Sequence, residues 1–105
     1  MTLHGIDIDP KTIQNYCHKW KIRQLSLFGS VLRNDFHADS DVDFLFELED
    51  GVRLTIESWM EMEEELHRLV GRRVDLVPRK DVERSENYIR RKHILGTAEP
   101  IYVGR

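Results

Sequence analysis

The sequence predicts an α/β (α+β) protein: a small mixed β-sheet with helices packed on it. Three observations lead there. Residues 10–21 and 55–70 carry apolar side chains at helical spacing, and a basic helical stretch covers 81–95. Residues 22–28, 42–48, 73–77 and 100–103 are β-branched, apolar or alternating, as strands are. With a short helical turn after Phe28, the order is α-β-α-β-α-β-α-β, which gives a sheet with helices laid against it. The 105 residues fit one domain, 1–105, and 40% hydrophobic content supports a core without disulfides.

Each element has a local cause. Asp9-Pro10 reads as an N-cap followed by proline in the first turn, opening a helix through about Lys21. Ile13, Tyr16, Cys17 and Trp20 form its buried face. Ile22 to Phe28 is a strand that stops at Gly29-Ser30, and a short turn follows through Arg33. Along Val42 to Leu48, Val42, Phe44 and Phe46 face one side and Asp43, Leu45 and Glu47 the other. Asp50-Gly51 is a turn. Thr55 caps a long helix to about Val70, with Ile56, Trp59, Met62, Leu66, Leu69 and Val70 on one stripe, and Gly71 stops it. Arg73 to Val77 is a strand closed by Pro78; Asp81 to about Leu95 is a helix; Pro100 to Val103 is a last strand.

Composition narrows the function. No apolar run approaches the roughly 20 residues of a membrane span. The N-terminus lacks a basic-then-apolar leader, and the single Cys17 cannot form an internal disulfide, so a cytoplasmic location is expected. The net charge of −3 hides an uneven distribution: +3 over residues 1–34, −11 over 35–65 and +5 over 66–105. An acidic middle between basic flanks suits a metal ion carrying a polyphosphate. Direct nucleic-acid binding, which favours one dominant basic face, is not expected.

The acidic middle contains the chemistry. Asp41-Val42-Asp43 puts two carboxylates on one face of a strand, and Asp75 occupies a similar place in the next strand. If the strands pair, three carboxylates converge, and each close pair costs a few kcal/mol (~4 at an effective dielectric near 20) unless a cation sits between them. Oxygen ligands with no His or Cys at ligand spacing favour Mg²⁺ or Mn²⁺ over zinc. Upstream, Gly29-Ser30 follows a strand and opens a turn, where backbone N–H groups and the Ser30 hydroxyl suit a phosphate. No Gly-Lys-Ser/Thr follows, so this is not a P-loop.

Taken together, Gly29-Ser30-x-x-Arg33-x-Asp35-x-x-x-x-Ser40-Asp41-x-Asp43 resembles the signature of the polymerase-β-like nucleotidyltransferase superfamily. More narrowly it is similar to the minimal nucleotidyltransferase (MNT) antitoxins encoded beside HEPN-domain toxins. Arg73-Val74-Asp75-Leu76-Val77 matches the strand that carries a third Asp in that family. The resemblance covers about residues 22–77. It implies that Gly29, Ser30 and Arg33 hold a nucleoside triphosphate, and that Asp41, Asp43 and Asp75 hold two Mg²⁺ ions (Mn²⁺ being possible). Asp75 would lie nearest the acceptor hydroxyl, as general base. The implied reaction is transfer of AMP from ATP to a tyrosine of a partner HEPN toxin, with the two proteins forming a hetero-oligomer. Phe44-Leu45-Phe46 is bulkier than the aliphatic run usual in the family.

Plainer readings stand beside these. Asp39, Asp41, Asp43 and Asp50 mimic an EF-hand loop, but Phe44 stands where that loop needs glycine. Arg33 and Asp35 pair to shape their loop, and Arg33 is also within reach of a phosphate. Ser40 is a turn or cap residue. Glu61, Glu63, Glu64 and Glu65 read as a solvated helix face, the five histidines lack ligand spacing, and Trp20, Trp59 and Met62 read as core. Arg90-Arg91-Lys92-His93 is either a solvated face or a contact surface. Two functional alternatives remain open: an antitoxin that neutralises by binding alone, and a nucleotidyltransferase acting on a small molecule or RNA.

Overall fold

The computed structural model describes residues 2–3, 6–32 and 40–104. In chain order the elements are β1 (Thr2–Leu3), β2 (Ile6–Asp7), α1 (Pro10–Trp20), β3 (Ile22–Phe28), a 3₁₀ turn (Gly29–Leu32), β4 (Val42–Leu48), α2 (Ile56–Val70), β5 (Val74–Pro78), α3 (Arg79–Glu83), α4 (Tyr88–Thr97) and β6 (Glu99–Val103). The main sheet has the order β5-β4-β3-β6; β3 is antiparallel to both its neighbours, and β4 and β5 are parallel. The mixed sheet with packed helices is as expected. The strands at 22–28 and 42–48 have the bounds read from sequence. No helix among the described residues is long and apolar enough to cross a membrane.

Strand alternation splits the apolar residues between two sheet faces. Leu25, Leu27, Val42, Phe44, Phe46 and Leu76 pack on one face against Ile13, Tyr16 and Cys17 of α1 and Met62 and Leu66 of α2. Phe28 and Leu45 pack on the other, against Val82 of α3 and Ile94 of α4. The two phenylalanines of Phe44-Leu45-Phe46 are thus wholly buried core, and only Leu45 faces the α3–α4 layer.

The caps follow the expected chemistry. The Asp9 carboxylate accepts from the Lys11 amide at 3.1 Å, and Thr55 Oγ1 accepts from the Ser58 amide at 3.0 Å. Gly71 ends α2 in the left-handed region at φ 76°, which carries no penalty in glycine. Gly51 likewise takes φ 82° in its turn.

Three expectations are corrected and one element is added. The helix expected over 81–95 is two helices: Asn87 starts a new one by accepting from the Arg90 amide at 3.0 Å. Ser and Asn side chains compete with helical backbone bonding, so 85–87 interrupts the helix rather than continuing it. Ile56 on α2 is 76% exposed and Leu69 is exposed as well, which narrows the stripe to Met62 and Leu66 with Trp59 and Val70 half-buried. Glu63 and Glu65 are half-buried and paired: Glu65 takes Lys19 Nζ at 2.6 Å and Trp20 Nε1 at 2.7 Å. The antiparallel pair β1–β2, with Ile6 and Ile8 buried in the core, is an added element, since two-residue strands leave no periodic signal.

Candidate active site

Three strands deliver the acidic motif to one end of the sheet. Phe28, the last residue of β3, lies opposite Asp43 across the antiparallel ladder. Asp43 lies opposite Asp75 across the parallel ladder. Residues in register on adjacent strands, ~4.8 Å apart, project from the same face. The direction is set from behind: Val42, Phe44 and Leu76 are wholly buried against α1 and α2, so alternation turns Asp43 and Asp75 the other way. By the same period of two, Asp41, just before β4, shares their face. Two residues further on, Leu45 and Val77 enter the α3–α4 cluster. The carboxylates therefore stand at the border of that layer, with Asp43 half-buried and Asp41 and Asp75 exposed.

Gly29 meets this row directly. Its φ of +75° is a left-handed conformation. A Cβ built on it would overlap Asp43 Oδ2 and stand 3.3 Å from Asp43 Cγ. The turn it opens is anchored by Val31, which is buried in the main core. Ser30 is the second residue of that turn. Arg33 and Asp35, together with Asp39, lie outside the described residues.

The stretch before β4 is held by two arginines that follow α2. Arg72 Nη2 donates to the Ser40 carbonyl at 3.0 Å, the Val42 amide donates to the Arg73 carbonyl at 3.0 Å, and Arg73 Nε pairs with Asp41 Oδ1 at 3.3 Å. In the sequence Arg73 reads as the start of a strand and of the family match through Val77, and Arg72 has no role; the structure starts β5 at Val74 and leaves both arginines before it. The available signal was two basic residues directly before the strand that bears Asp75.

Gly29, Ser30, Asp41, Asp43 and Asp75 are thus gathered at one sheet end. They are not closed around a point: among the described residues, no three His, Cys, Asp or Glu side chains are grouped to hold a metal. The donor set still fits a hard divalent cation, because the three aligned side chains offer only carboxylate oxygens. Other titratable groups belong elsewhere. Burial in the main core pushes the Cys17 thiol up to about 12 and raises the Tyr16 hydroxyl, which donates to the Met62 carbonyl at 2.8 Å. His18 lies on α1, edge-on to the Tyr102 ring at 6.0 Å.

Comparison with known proteins bears on the family and the fold. Residues 10–95 match the model of the nucleotidyltransferase domain family. Protein adenylyltransferase MntA of Thermococcus cleftensis is 41% identical over 59 residues, 56% of this chain and 58% of that protein. A predicted protein adenylyltransferase of Methanocaldococcus jannaschii is 30% identical over 64 residues, 61% of this chain and 64% of that protein. The chain thus spans less than two thirds of either relative. A solved structure of a predicted minimal nucleotidyltransferase superposes with TM-score 0.66 at 27% identity, covering 87% of each chain. A toxin–antitoxin complex with AMP-PNP gives TM-score 0.68 at 18% identity, over 93% of this chain and 76% of the other. A tri-AMPylated Shewanella oneidensis HEPN toxin in complex with MNT antitoxin gives 0.59 at 19%, over 90% and 69%; these last two speak to the fold. With the family model covering most of its length, the chain belongs to the nucleotidyltransferase domain family and has the minimal nucleotidyltransferase fold.

Proposed function

We propose that residues 1–105 act as one minimal nucleotidyltransferase domain that transfers AMP from ATP to a tyrosine hydroxyl of a partner HEPN-type toxin, and so serve as its antitoxin. The observation that carries this reading is the register Phe28–Asp43–Asp75, with Gly29 seated against the Asp43 carboxylate. It brings the backbone at Gly29 beside the row of carboxylates. The relatives named as protein adenylyltransferases, and the similarly folded complexes with AMP-PNP and with an AMPylated toxin, support the choice of ATP and of a protein acceptor.

In this reading the backbone at Gly29 and Ser30, with Arg33, holds the triphosphate. Asp41, Asp43 and Asp75 would hold the metal, taken to be two Mg²⁺ ions, with Mn²⁺ a substitute. Metal bound there supplies the positive charge that offsets phosphate oxygens and carboxylates together. Asp75, exposed on the outer strand, takes the proton from the acceptor hydroxyl. The phenolic oxygen forms a bond to the α-phosphorus, and the bond from that phosphorus to the pyrophosphate oxygen breaks. Catalysis on this scheme is mostly positioning and electrostatics, as phosphoryl-group chemistry requires.

Intact mass spectrometry of the partner, co-expressed with this chain, is the test. The expected result is added AMP that disappears with Asp41→Asn/Asp43→Asn, while circular dichroism shows an unchanged fold. No added mass from the wild-type pair, with a stable complex still formed, would overturn transfer in favour of neutralisation by binding.

A further inference from the structure

Among the described residues, Arg73 is a cation beside the carboxylates with no place in the scheme above. Val42 pairs with Val74 and Asp43 with Asp75, so one step back along the same register sets Asp41 level with Arg73. Alternation then puts Arg73 on the face of Asp41, Asp43 and Asp75, which makes it the fourth corner of the set. The contact is made: Arg73 Nε lies 3.3 Å from Asp41 Oδ1, with the two side chains 76% and 52% exposed. Its backbone is fixed independently, because the Arg73 carbonyl accepts from the Val42 amide, and the adjacent Arg72 holds the Ser40 carbonyl. Asp41 thus faces a tethered guanidinium.

We propose that Arg73 is a resident counter-cation that occupies Asp41 until a divalent metal displaces it, so that metal enters with the nucleotide rather than ahead of it. A free metal ion must break the pair and leave a guanidinium beside its own charge. A metal that arrives with a nucleotide also brings phosphate oxygens, which give the released guanidinium a new partner of the right sign. The pair is exposed, so the competition is modest and easily reversed. The inference rests on the reading of Asp41 as a ligand.

Binding of Mn²⁺ to the full chain, followed by electron paramagnetic resonance of the free ion, tests it without turnover. Without nucleotide, Arg73→Gln should bind Mn²⁺ about two- to fivefold more tightly than wild type, and Arg73→Lys should stay near wild type. With AMP-PNP present, the Arg73→Gln advantage should vanish or reverse. Arg68→Gln, which removes the same charge from an exposed α2 pair with Glu64, should change nothing. Equal or weaker binding by Arg73→Gln overturns the proposal, as does an equal gain in Arg68→Gln or an advantage that survives AMP-PNP. Asp41→Asn separates the two ideas. If it binds Mn²⁺ as tightly as wild type, the ligand reading of Asp41 fails and takes the proposal with it; if it binds weakly while Arg73→Gln shows no gain, the proposal alone fails.

Discussion

Gly29 carries two constraints at once: a left-handed φ and a carboxylate where a Cβ would go. Alanine there costs about 1–2 kcal/mol for the backbone alone. The methyl group also pushes on Asp43 Oδ2, and that side chain, not the core, is what can yield. Gly29→Ala should therefore lower AMP transfer by about tenfold or more while the urea midpoint falls only as far as the backbone term requires. Transfer reduced merely in proportion to folded protein would contradict this. The sequence shows a glycine at a strand end; that its Cα must clear Asp43 depends on the β3–β4 register. Similarly, the period of two predicted that Asp41 and Asp43 share a face, whereas the Arg73 contact needed knowledge of which strand lies beside which. Arg73 is paired across a ladder, and pairing across ladders leaves no local trace.

Among the elements, α2 does more than cover one sheet face. Trp59 Nε1 donates to the Leu76 carbonyl at 2.8 Å, and Glu63 accepts from the Leu76 amide at 3.4 Å, so α2 side chains engage the backbone of the outer strand β5. Toward α1 the tie is Glu65, which takes Lys19 and Trp20 together. Burial opposes ionisation of Glu65, but the hydrogen bonds from Lys19 and Trp20 and the Lys19 charge outweigh it and hold its carboxyl below the usual glutamate range. A carboxyl lowered on folding contributes stability that is complete above its unfolded value and is lost as pH falls through the folded one. The stability difference between wild type and Glu65→Gln should thus be full at neutral pH and shrink below about pH 4.3. A difference that stays flat into acid, in urea titrations at successive pH values, would rule out the tie. A run of four acids within five residues reads as solvated surface by composition; only the packing of α2 against β5 picks out Glu63, and its packing against α1 picks out Glu65. The caps at Asp9, Thr55 and Gly71 are legible because each acts within four residues, while the break at 85–87 rests on single Ser and Asn side chains that a helix also tolerates.

At the scale of the molecule, two apolar clusters clasp one sheet, and Cys17 lies in the larger of them with no exposed surface. Its thiol is buried and pushed up to about 12, so alkylation at pH 8 requires opening of the core. As the only cysteine in the chain, it reports on that opening without interference. Native protein should resist iodoacetamide, and labelling should rise with urea along the same curve as loss of helical circular dichroism. Rapid labelling well before that curve would mean the α1–α2 side opens on its own. The strand order β5-β4-β3-β6 bears on how this architecture is made. Synthesis delivers the two inner strands first and then adds one neighbour on each side, β5 ahead of β6. A nascent chain that has cleared the ribosome only as far as Pro78 already contains every strand of the acidic row, with α3, α4 and β6 still to come. Translation can thus bring the chemical end of the sheet together before the layer beside it exists.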